Sequence, residues 1–257
     1  MLLIDAGINI NAQNKVGDTA LHNAVDHRNT EIVNMLIDGG IDLNIQGQLG
    51  NTALHFAVMQ GYIEIVKLLI NGGIDLNIQN QNGNTALHIA AEKDHQAIAS
   101  LLLDDDYDPN IRNKHFGNTA LHFAVNHRNT EIIKLLIDGG IDLNIQNQYD
   151  NTALHIAVKH RYTEIVKLMI DGGIGLNLKE QFGHTALHIA AERDDQAIAT
   201  LLLDNYCDLN IRNKEMSHLE RLIYVSSQSN LISKTSEIND DISTNHHHRP
   251  SNCGRVC

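Results

Sequence analysis

The tetrapeptide Thr-Ala-Leu-His starts at Thr19 and returns at Thr52, Thr85, Thr119, Thr152 and Thr185, in steps of 33, 33, 34, 33 and 33 residues. A period of that length constrains the fold more than any other feature of the chain. One short unit cannot bury its own apolar face, so each must stack on its neighbours into an elongated array. The composition agrees. The 257 residues are 42% hydrophobic but only 4% aromatic, with no Trp, so the core should be thin, aliphatic and spread out. The one extra residue falls in "RNKHFGN", Arg112–Asn118.

A longer period lies over the first. Thr19–Gln46 and Thr119–Gln146 agree at 23 of 28 positions, and Thr85–Lys114 and Thr185–Lys214 at 23 of 30. A block of three units has been duplicated. Within a unit the apolar spacing is helical. Ala53, Leu54, Ala57 and Val58 share one face of a first short helix; Ile65, Val66, Leu69 and Ile70 share a face of a second. Gly72–Gly73 ends the second helix, because glycine accepts the left-handed backbone that closes a helix. "IDLNIQNQNG" (Ile74–Gly83) then reads as an extended start and a turn. Helices this short are marginal alone in water and depend on stacking.

Residues such as "QNGNTALHIAA" (Gln81–Ala91) and "LLINGGIDLN" (Leu68–Asn77) resemble the ankyrin repeat over residues 1 to about 214. The resemblance implies an all-α solenoid of helix-turn-helix units with hairpin or loop fingers along one edge. It gives a truncated unit at 1–13 and six units at 14–46, 47–79, 80–112, 113–146, 147–179 and 180–212. It also implies a non-enzymatic protein-binding module without a cofactor. The sequence departs from the family in places. Ala replaces the family's proline in all six tetrapeptides. The glycine that ends the first helix survives only as Gly61; Arg28, Asp94, Arg128, Arg161 and Asp194 stand at its counterparts. A left-handed backbone at each of these costs on the order of 1 kcal/mol, so loose joints are expected at the Arg positions. Asp150 replaces a finger glycine.

The six histidines His22, His55, His88, His122, His155 and His188 admit three readings: metal ligands, acid–base groups or structural parts. Metal ligation needs convergent donors, and these are one per unit. The resemblance gives them, with Thr19, Thr52, Thr85, Thr119, Thr152 and Thr185, the task of closing each turn and tying unit to unit. Paired and part-buried, they should be poor pH switches. Phe56, Ile89, Phe123, Ile156 and Ile189 follow them and are read as inter-helix core, with Asn23 the odd one out.

Partner contacts are expected elsewhere. Before the finger glycine position stand Val16, Leu49, Asn82, Phe116, Tyr149 and Phe182. Aromatic side chains are favoured as binding anchors, so a line through Phe116, Tyr149 and Phe182 is the leading candidate, with Val16 and Leu49 extending it. His27, His127 and His160, near the ends of first helices, and Met59 form a second candidate strip. Packing between adjacent fingers, and a plain solvated surface, are the competing readings for the two groups.

Charge narrows the partners. The net charge is −12 and no run of Lys and Arg offsets it. Nucleic acid and anionic membranes are disfavoured, a protein partner is expected, and so is a monomer. The three cysteines, Cys207, Cys253 and Cys257, make no disulfide framework and suit a reducing, cytoplasmic setting. "MLLIDAGINI" lacks the features of a signal peptide. No phosphate-cradling loop or nucleophile elbow occurs.

The ends are atypical. Leu2, Leu3 and Ile4 open the chain inside a unit. A C-terminal capping helix is expected within 213–226, and a disordered tail over 227–257. The tail's His246–His248, Cys253 and Cys257 offer zinc donors, but their crowding favours a low-complexity reading. Two further functions follow from the ends: a substrate adaptor of a virus or intracellular microbe, for example to a ubiquitin ligase, and a degenerate repeat fragment without a partner.

Overall fold

The computed structural model describes residues 9–103, 107–205, 207–208 and 211. The apolar start Leu2–Ile4, the capping helix expected within 213–226 and the tail at 227–257 lie outside the described residues.

Among the described residues, twelve α-helices form six antiparallel pairs: α1 (Ala20–Asp26) with α2 (Thr30–Asp38), α3 (Ala53–Gln60) with α4 (Ile63–Asn71), α5 (Ala86–Lys93) with α6 (Gln96–Leu103), α7 (Ala120–Asn126) with α8 (Thr130–Asp138), α9 (Ala153–Lys159) with α10 (Thr163–Asp171), and α11 (Ala186–Glu192) with α12 (Gln196–Asp204). The first helices α1, α3, α5, α7, α9 and α11 stack in one layer and the second helices in another. The fold is an all-α solenoid, with no strand among the described residues.

The expected faces are inside. Ala53, Leu54, Ala57, Val58, Ile65, Val66 and Leu69 are buried, and Ile70 is half-buried. One aliphatic core runs the length of the stack. Four second helices, α2, α4, α8 and α10, end in a Schellman turn: in α4, Ile74 N–H donates to the Leu69 carbonyl and Gly73 N–H to that of Ile70, with Gly73 at φ +82°.

First helices use the same turn without its glycine. Gly61 has φ +72°, and Arg28, Asp94, Arg128, Arg161 and Asp194 take the same left-handed backbone at φ between +50° and +60°. The Arg joints are braced. Arg28 stacks on Tyr62 at 5.3 Å, Arg128 on Tyr162 at 5.5 Å, and the Arg161 Nε donates to the Asp195 carboxylate at 2.9 Å. Asp94→Gly should therefore stabilise by about 0.5–1 kcal/mol, read as a rise in the thermal midpoint. Arg161→Gly should gain less, because it also loses the Asp195 bond. Equal gains would show that the brace contributes nothing.

The stack is exposed on one side at its N-terminal end. Ile32 is 45% exposed, whereas its counterparts Ile65, Ile98, Ile132, Ile165 and Ile198 are all within 2% of full burial. Met35, one turn on, is 64% exposed.

Candidate interaction surface

The site is a row of fingers held by four kinds of bond that recur from unit to unit. The first belongs to the histidines. In each of the six turns the Thr N–H donates to the His Nδ1 at 3.1–3.3 Å, with the Thr hydroxyl 2.8–2.9 Å from the same nitrogen. A capping box results, with His in the place usually held by Glu or Gln. The other ring nitrogen, Nε2, lies 3.0–3.1 Å from a backbone carbonyl of the following finger: Asn51, Asn84, Asn118, Asn151 and Leu178 for His22, His55, His88, His122 and His155. A backbone N–H can only donate and a carbonyl can only accept. The ring is therefore neutral, with its proton on Nε2.

These five rings are more deeply buried than expected, at 0–3% exposure, and only His188 is half-buried. Burial pushes the imidazoles of His55, His88, His122 and His155 down to about 4, against the pull of the carbonyls that accept from Nε2. With both nitrogens occupied, the rings are not placed to ligate a metal. No cluster of three or more His, Cys, Asp or Glu suited to a metal occurs among the described residues. Cys207 is buried, which raises its thiol pKa.

The remaining three bonds form the fingers. The side chains of Asn11, Asn44, Asn77, Asn110, Asn144 and Asn177 accept from the backbone N–H of Asp42, Asp75, Asp108, Asp142, Gly175 and Asp208. The amides of Gln13, Gln46, Gln79 and Gln146 donate to carbonyls in the next finger, at Gln46, Gln79, Arg112 and Lys179. At the tips, the carbonyls of Leu49, Asn82, Phe116 and Tyr149 accept from the N–H of Gln81, Lys114, Gln148 and Gln181. The fingers are thus turns joined tip to tip, and the tip residues sit on a shared backbone.

Side chains at the tips face solvent: Val16 is 53% exposed, Leu49 63%, Phe116 47%, Tyr149 41% and Phe182 61%. The Phe116 and Tyr149 rings lie 6.3 Å apart, whereas Phe182 turns to His184 of its own unit at 6.4 Å. His115, the inserted residue, lies 6.0 Å from Phe116 and widens the aromatic surface; the sequence reading passed over it. In the second strip, Met59 is 37% exposed, and His27, His127 and His160 are exposed C-caps of α1, α7 and α9. His27 bonds the Asn23 carbonyl, and His160 stacks on Tyr162 at 5.3 Å. Ile89, Ile156 and Ile189 are core. Phe56 and Phe123 are half-buried, edge-on to His22 and His88 of the preceding units, and Asn23 is exposed.

Two fingers depart from the common turn. Asn80, Asn113 and Asn147 each hold their turn with the side-chain oxygen and donate through the amide to Asn51, Asn84 and Asn118 upstream. Gly47 replaces this Asn in the second unit. Asp18 takes the vacated space and accepts from the Gln48 N–H, and Leu49 adopts a left-handed φ of +58°. Glu180 replaces it in the sixth. Its Oε1 accepts from the Phe182 and His184 N–H and lies 3.2 Å from His184 Nδ1, while Oε2 has no partner among the described residues. A carboxylate cannot donate, so the Lys159 ammonium donates to Asn151 instead, at 3.0 Å.

Known structures share this architecture. The ankyrin repeat domain of Bcl-3, described as a unique member of the IkappaB protein family, superposes with a TM-score of 0.73 at 26% identity, covering 79% of this chain and 89% of that one. The ankyrin repeat protein EF0377 superposes at 0.68 with 30% identity, covering 76% of this chain and all of that one. No curated protein sequence matches the chain. The family profile for ankyrin repeats in three copies matches residues 1–80, 42–113, 69–147, 101–180 and 139–213. The chain belongs to the ankyrin-repeat family.

Proposed function

We propose that this protein is a non-enzymatic interaction scaffold that binds a protein partner through its finger row and the adjoining concave face. The observation that carries this reading is the exposed tip line Phe116, Tyr149 and Phe182, mounted on fingers that bond to one another through the backbone. Large side chains held in place before binding lose little freedom on contact, which favours affinity. The fold itself is typically a protein–protein interaction module. A monomer working in a reducing cytoplasm suits its free, buried Cys207.

Affinity capture from lysate with the full chain tests the reading. The Phe116→Ala, Tyr149→Ala, Phe182→Ala triple variant should lose the captured protein by tenfold or more, with unchanged helical circular dichroism. Undiminished capture by a folded triple variant would remove the finger row from the interface.

A further inference from the structure

The sixth finger carries a pair of residues that the others lack. Across the duplicated block, Asn80 and Asn84 of the third unit become Glu180 and His184, so two neutral amides give way to an acid and an imidazole. No other unit sets such a pair at these two positions. The Glu180 side chain is only 1% exposed, and its Oε1 holds the turn by accepting from the N–H groups of Phe182 and His184. The His184 ring lies between two acids. Its Nδ1 is 3.2 Å from Glu180 Oε1, and its Nε2 is 3.3 Å from Oε1 of the exposed Glu192 on α11. A carboxylate oxygen only accepts, so a neutral ring would turn a lone pair onto one of the two acids. The geometry calls for an imidazolium, unlike the neutral rings of the repeated turns.

The other groups set around His184 do not replace its charge. His188 on α11, 6.1 Å away between ring centroids, already accepts the Thr185 N–H at Nδ1. The Lys159 ammonium on α9 donates to Asn151. Glu180 Oε2 has no partner among the described residues. A buried carboxylate that loses its cation is strongly destabilised, so Glu180 keeps its place in the turn only beside a charged His184. The tip depends on that place, because Glu180 bonds the Phe182 N–H and the Phe182 ring lies 6.4 Å from that of His184.

We propose that finger six is a proton-operated tip. With both nitrogens protonated, the His184 ring joins Glu180 to Glu192 and Phe182 is held in one posture. Loss of one proton frees one carboxylate, draws Glu180 toward water and lets go of the Phe182 N–H, so the tip loosens. The holding proton is present at lower pH and lost as pH rises, the opposite sign to the buried rings, which resist protonation. An imidazole exchanges its proton around neutrality, above the range in which those buried rings are protonated. The proposal stands without the scaffold reading, and only its consequence for binding rests on that reading.

Fluorine NMR of the full chain labelled with 4-fluorophenylalanine tests it. The Phe182 resonance, assigned by its loss in Phe182→Leu, should move between about pH 6.5 and about pH 8, while those of Phe56 and Phe123 hold still. His184→Asn should abolish the movement. So should Glu180→Asn with His184→Asn, which restores the pair of the third unit and with it a turn that the array already folds. Glu192→Gln should lower the midpoint of the movement by about half a pH unit, which a histidine merely close to the tip would not show. Long-range proton–nitrogen spectra should find both His184 nitrogens protonated at the lower pH. A Phe182 resonance that ignores pH, one that still follows pH in the double variant, or a midpoint unchanged by Glu192→Gln would overturn the inference. A single protonated nitrogen at the lower pH would place the proton on Glu180 and overturn it as well. If lysate capture needs the aromatic tips while the Phe182 resonance ignores pH, the proton-operated tip falls and the scaffold reading stands. If the resonance responds as expected but capture ignores the aromatic tips, the tip stands and the scaffold reading falls.

Discussion

Acidification from pH 7 to pH 4.5 should unfold most of the array, with a midpoint near pH 5. The histidines of the unfolded chain bind protons near the ordinary value of 6.5, whereas His55, His88, His122 and His155 in the fold resist until about pH 4. Between those values the unfolded state holds more protons, so stability falls as pH falls. Above pH 6.5 both states are neutral and this contribution is complete. At pH 5 the loss is about 2 kcal/mol per ring and about 8 kcal/mol for the four. That equals the whole stability of many domains, about 5–15 kcal/mol. The geometry gives the reason, since a second proton would point Nδ1–H at the Thr N–H of the same turn. Circular dichroism at 222 nm against pH measures it. A signal flat down to pH 4, with unfolding only below, would assign acid denaturation to the carboxylates.

Replacing Gly83 by Ala should cost about 2–4 kcal/mol, one of the larger effects of a single methyl group anywhere in the molecule. Gly83 has φ +78°, which costs a side-chain residue on the order of 1 kcal/mol. The added Cβ would also run into the backbone nitrogen of Lys114, the group that bonds the Asn82 carbonyl at 3.0 Å. Finger four must then withdraw, and that link between the two halves of the row breaks at a further cost of about 1 kcal/mol. Gly73→Ala is the control, because its φ is +82° but its Cβ would meet open space. It should cost only about 1 kcal/mol. Urea unfolding of both variants decides the matter, and equal losses would mean that contact between fingers contributes little.

Much of this was legible in the amino acids, for a physical reason. The 33-residue step and the apolar spacing are local properties, and they set the helix faces and the place of each histidine. The left-handed joints at Arg28, Asp94, Arg128, Arg161 and Asp194 followed from the same alignment of units. Pairings between positions 29 to 34 residues apart were not legible, because they depend on how far each unit turns on the next. The Arg–Tyr stacks and the Asp195 brace belong to that class. So do the depth at which the histidines are buried and the transfer of the Asn151 bond from an amide to Lys159. Leu49 had a visible signal in Gly47, which removes the side chain that holds the other turns.

Three kinds of bond that join the units run one way. The side chains of His, Asn and Gln reach from each unit into the next, and there they meet backbone N–H or C=O groups. In these bonds a downstream unit supplies only what every residue possesses. Gly175 illustrates this: it has no side chain, yet its N–H bonds Asn144 as the aspartates of other units bond theirs. The amides of Asn80, Asn113 and Asn147 run the other way and need a matching side chain upstream. Where the downstream group is backbone, a residue there can change without a matched change in the unit above. The three-unit copy keeps these backbone-directed joints, while its fingertips have diverged from the original.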